Sequence, residues 1–208
     1  RKSEYLIDRK DITVMTKDMT TGKITRLLIS FTIPLVLGNL FQLLYNAVDS
    51  IIVGKFVGED ALAAVGTSNP LVTLVILFVS GLCMGAGVLI SMQYGAKDYD
   101  KLRLQLSSTL IGGLVFSIAV AIVSVIAAPA LLRIMQTDES IMDMATSYLR
   151  IILMGLIFTF IYNFFASALR AMGDSKTPLY FLMISSVFNI AGDLFFVIVL
   201  RWGSNGCA

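Results

Sequence analysis

The chain has 208 residues, 57% of them hydrophobic and 14% charged, with a formal charge of +2 and a mean hydropathy of +0.84. A soluble domain carries about 25% charged residues, so the composition describes an integral membrane protein and argues against a nucleic-acid partner. It contains no histidine, which removes the usual metal ligand, catalytic base and neutral-pH switch together.

Segment 1–22 is polar, carries both signs of charge and is not followed by a cleavable signal pattern. It is expected to be a cytoplasmic N-terminal segment. The chain opens on Arg1, and Met15 reads as a native start. Five apolar runs then meet the spanning length of about 20 residues: Leu27–Val53, Leu62–Ser91, Leu106–Leu132, Ile151–Leu169 and Leu179–Leu200. The fold class is therefore all-α, a polytopic helix bundle. Segment 141–150 is amphipathic and is expected to extend the fourth helix into the membrane interface.

The first span carries Asn39, Gln42, Asn46 and Asp49 at steps of 3, 4 and 3, a wedge of about 80° on one helix face. The fifth carries Ser185, Asn189 and Asp193 at steps of 4 and 4. A carboxylate inside a span costs roughly 2.5–3.5 kcal/mol on insertion scales and by default marks a site for ions, protons or substrate. Two acids at one depth in low dielectric repel, so a shared proton or a bound cation, Na+ among them, becomes the stable arrangement. Asn189, one turn from Asp193, has an amide able to donate to the carboxylate or to coordinate an ion through oxygen. Ser68, Asn69 and Thr73 read as lining for an outer vestibule, and Tyr162, Asn163 and Ser167 as packing contacts. Gly81 and Gly85 form a GxxxG packing signal, and Pro34 and Pro129 permit bends. Cys83 and Cys207 have neither metal spacing nor a disulfide framework.

Lys and Arg set the orientation. Twelve lie before the first span and in the second and fourth loops, against Lys55, Arg133, Arg150 and Arg201 in the alternate segments. That bias places the N-terminus in the cytoplasm. The end, RWGSNGCA, is a turn that leads nowhere, which suggests a piece of a longer protein.

The strings PLVLGNLFQLLYNAVDSIIVGKFVGEDALAAVG, LISMQYGAKD, RAMGDSKTP and NIAGD together resemble the multidrug and toxic compound extrusion family of transporters. The resemblance runs from about Lys23 to the end and implies the first five transmembrane helices of a six-helix N-terminal lobe over residues 23–208. The sixth helix and the C-terminal lobe would then be missing. It further implies a cell-membrane antiporter, not an enzyme, that exports drugs or organic cations in exchange for Na+ or H+ and has no other cofactor. In relatives the groups matching Asp49, Asn189 and Asp193 look like the coupling-cation site, with the remaining polar stripe lining the cavity. A flippase for lipid-linked oligosaccharides shares the fold. From another class, an intramembrane aspartyl protease would use the two acids, with Gly192–Asp193 as a weak match.

Overall fold

The computed structural model describes residues 23–199, the side chains of 198 and 199 excepted. The expectations for segment 1–22, Met15, Leu200, Arg201, the terminal turn and Cys207 lie outside those residues. Six α-helices follow one another: α1 (Ile24–Phe56), α2 (Glu59–Gly95), α3 (Tyr99–Ile134), α4 (Met142–Met154), α5 (Leu156–Ala171) and α6 (Lys176–Leu194). A π-helical turn, Phe195–Val199, continues α6. At 1.5 Å per residue, α1 to α3 are about 50–55 Å long, well beyond the roughly 30 Å hydrocarbon core. The sequence places the apolar centre of each; the ends run on because polar residues past the bilayer keep the helix and are capped.

The caps repeat one device. After α2, α3 and α5 the chain steps through one left-handed residue: Lys97 (φ 58), Gln136 (φ 57) and Gly173 (φ 91). Each donates its N–H three residues back, and the following N–H closes five residues back, as in Asp98 N to Gln93 O at 3.1 Å. That is the Schellman stop. An aspartate then leads into the next helix. Asp98 accepts from Lys101 N at 3.2 Å to start α3, and Asp174 accepts from Lys176 N and Thr177 N, both at 3.0 Å, to start α6. Asp138 accepts from Ser140 N at 2.8 Å ahead of α4.

Helices α2, α3 and the α4–α5 pair form a close cluster. Ala64, Ala128, Leu132, Ala145, Leu149 and Leu153 are buried together near one end, and Val79, Cys83, Ala121, Leu156, Phe160 and Phe164 in the middle. The 42° break between α4 and α5 falls at Gly155. Segment 141–150 therefore belongs to a separate helix, contrary to the expected interfacial extension. Ala145, Leu149 and Leu153 recur every fourth residue and bury themselves against Ala64, Ala128 and Leu132, so the apolar face of this amphipathic stretch meets protein. Counting the bent pair as one, five segments are long and apolar enough to cross a bilayer.

Small residues and hydroxyls draw α5 onto its neighbours. A side chain at Gly113 would fall inside the Phe160 ring, and a Cβ at Gly87 would lie 2.6 Å from Ser167 Oγ, which donates to Cys83 O at 2.8 Å. Ser80 Oγ donates to Asn163 Oδ1 at 3.4 Å. Asn163 and Ser167 thus act as the expected packing contacts. The GxxxG does not: a Cβ at Gly81 or Gly85 meets nothing within 4 Å.

Helix α1 packs mainly on α6. Leu179 and Leu182 approach Gly38, where a Cβ would sit 3.8 and 3.7 Å from their side chains. Among the described residues no α6 side chain enters a buried apolar cluster, and α1 contributes only Val53, beside Ala61, Val65 and Tyr148. The α1–α6 pair is joined to the rest where α1 meets α2 and where α5 meets α6.

Candidate functional site

Asp49 and Asp193 meet in the seam between α1 and α6, their carboxyl groups close enough to interact and, with a proton between them, to hydrogen bond. Asp193 is buried, at 4% exposure, and Asp49 half-buried. A hydrogen bond between two carboxyls needs a proton on one of them, since ionised carboxylates only accept. One of the Asp193 oxygens, Oδ2, is buried with no hydrogen-bond partner. Such an atom is costly unless an ion, a water or a moving donor meets it. Immediately after Asp193 the backbone widens into the π-helical turn, a distortion frequent at functional sites. The sequence carries no signal for it.

The rest of the two polar stripes does not converge. With Gly38 marking the side of α1 that faces α6, Asp49 lies about 20° round the helix, Gln42 about 40°, Asn46 about 80° and Asn39 about 100°. Asn39, Gln42 and Asn46 are exposed. On α6 the buried positions are Pro178 near its start and, in its second half, Ser186 and Asp193, which are seven apart and about 20° from one another. Ser185 and Asn189 lie about 100° and 60° from Ser186 and are exposed. The serine facing the bundle is therefore Ser186, whose hydroxyl donates to Leu182 O at 2.8 Å. The structure brings together the two acids and leaves Asn189 at the rim, without a hydrogen bond to Asp193 Oδ2. Among the described residues no group of three or more acidic or cysteine side chains is placed to hold a metal.

A second polar feature lies on the outer face of α2. Gly66, Asn69, Pro70 and Thr73, with Leu74, Leu77 and Phe78 beyond them, line an open cavity of about 780 Å³. Pro70 has no N–H to give Gly66 O, and a bilayer cannot hydrate that carbonyl. The wall of the cavity is mainly apolar, with Asn69 and Thr73 as its polar side chains. Ser68, expected beside Asn69 in a vestibule, is fully buried instead, donating to Ala64 O at 2.8 Å and reaching Ala145 O at 3.5 Å.

Five apolar spans, with a pair of carboxyl groups set between two of them, define a multi-pass membrane protein. Residues 34–195 match the MatE family model, and the chain belongs to that family. It is 34% identical over 191 residues to the probable multidrug resistance protein YpnP of Bacillus subtilis (strain 168), covering 92% of this chain and 43% of the relative. YoeA, a second probable multidrug resistance protein from that organism, is 34% identical over 178 residues, with 86% and 38% covered. The solved structure of a MOP-superfamily transporter from Pyrococcus furiosus superposes with a TM-score of 0.84 at 28% identity, over 89% of this chain and 41% of its own. The chain spans about two fifths of the length of these relatives.

Proposed function

We propose that this chain supplies the first five helices of the N-terminal lobe of a cation-coupled exporter of drugs or organic cations in the cell membrane. A sixth helix and a second lobe complete the pathway. The observation that carries the reading is the Asp49–Asp193 pair: two acids from helices far apart in sequence, in contact within the membrane-spanning part of a protein whose relatives are named for multidrug resistance. The coupling step is protonation or ion capture at this pair. As it stands, the carboxyl pair accommodates one shared proton. Na+ at the same place would need the carboxyls to part and Asn189 to turn in, because two carboxylates offer fewer oxygens than an alkali cation takes. Asn39, Gln42, Asn46, Ser185 and Asn189 then form the wetted wall from which ion or drug approaches. Twelve of sixteen basic residues fall before the first span or in the second and fourth loops of the sequence, a bias that favours a cytoplasmic N-terminus.

The test uses the full-length protein in proteoliposomes with a fluorescent organic cation and either a pH or a Na+ gradient imposed separately. Cation movement driven by one of the two supports the reading. Movement of a lipid-linked oligosaccharide instead, or of neither cargo, overturns it.

A further inference from the structure

Helix α3 contains Pro129, whose ring nitrogen has no hydrogen for the carbonyl one turn earlier, Val125 O. Inside a bilayer a carbonyl released in this way must find a donor within the protein. Arg150 of α4 provides it: its Nε–H donates to Val125 O at 3.3 Å. The guanidinium takes the place of the amide that residue 129 lacks. No acid claims it, since among the described residues the one salt bridge joins Lys101 to Asp98.

The bond also sits at a critical edge of the packing. Ala128, beside Pro129, and Leu149, beside Arg150, are both fully buried in the apolar cluster shared by α2, α3 and α4. Gly155, where the chain bends by 42°, follows Arg150 by little more than one turn. We propose that Arg150 is a positioning residue that substitutes for the missing Pro129 amide and locks α4 to α3, so that the bend between α4 and α5 stays at Gly155.

The test is a double-mutant cycle in the full-length protein, read as Tm in detergent. Arg150→Met keeps the aliphatic stem and removes the donors, and is expected to lower Tm by roughly 1–2 °C, as loss of about one hydrogen bond does in a protein about twice this chain's length. Arg150→Lys keeps a donor and retains most of the stability. Pro129→Ala returns an N–H to Val125 O, so in that background Arg150→Met has no further effect. An equal Tm loss in the Pro129→Ala background, or no loss with Pro129 present, overturns the proposal. Should Arg150→Met alone fail to accumulate, Pro129→Ala must restore its expression, and failure to do so overturns the proposal equally.

Discussion

Asp193→Asn separates the chemistry of the carboxyl pair from its structural contribution. The amide keeps the shape of the carboxyl and can still donate to Asp49, so the contact across the α1–α6 seam survives. What disappears is the ionisable group at a position only 4% exposed. Insertion scales put the cost of an acid at mid-span at roughly 2.5–3.5 kcal/mol. Asp193 lies one residue from the end of α6, so the stability gained on substitution falls between zero and about 3 kcal/mol. The variant should therefore be at least as stable as the parent while its gradient-driven efflux falls to background. Both quantities are measured on one preparation of the full-length protein, Tm in detergent and efflux in proteoliposomes under an imposed pH or Na+ gradient. Wild-type driven efflux from the Asn variant would refute the coupling role. A fall in Tm matching the loss of transport would show that Asp193 holds the seam and does nothing more.

Gly87→Ala places a Cβ 2.6 Å from Ser167 Oγ and should destabilise by about 1–3 kcal/mol, the usual range for overpacking; adding Ser167→Ala removes the offending oxygen and should recover much of the loss in a thermal melt. At the α2–α3 turn the Lys101 side chain and amide, hydrogen bonded to Asp98, hold its carboxyl below the ordinary value of 3.8. A depressed carboxyl stabilises the fold at neutral pH and loses that contribution as pH falls through its folded value. Protection of the Lys101 amide from hydrogen exchange should thus weaken on the acid side of 3.8, and Asp98→Asn should flatten the dependence. With Cys83 and Cys207 replaced, a cysteine at Ser140 should react with an impermeant thiol reagent from outside the cell and one at Asp98 should not; the opposite pattern reverses the orientation.

The acids were legible in the sequence because a carboxylate in an apolar run has few explanations, and their chain positions put them at one depth. Which neighbours face them was not. An 80° wedge on α1 does not reveal which of its edges meets α6, and the structure turns only the Asp49 edge inward. On α6 the four-residue steps select Ser185, Asn189 and Asp193, whereas packed helices tend to meet along seven-residue repeats; Ser186 and Asp193 follow that spacing. The GxxxG at Gly81 and Gly85 announces that a close approach is possible and says nothing of which helix uses it. Gly155 offered no warning either, since a glycine between apolar residues reads as an ordinary part of a span.

The pairing of α1 with α6 sets an order of events during biosynthesis. Asp193 follows Asp49 by 144 residues, and ribosomes add roughly 5–20 residues per second. The first helix therefore enters the bilayer roughly 7–30 s before its acid has a partner. Throughout that interval the translocon or a neighbouring protein must shelter Asp49, and a nascent chain interrupted before α6 leaves a lone carboxyl in the membrane that quality control can read.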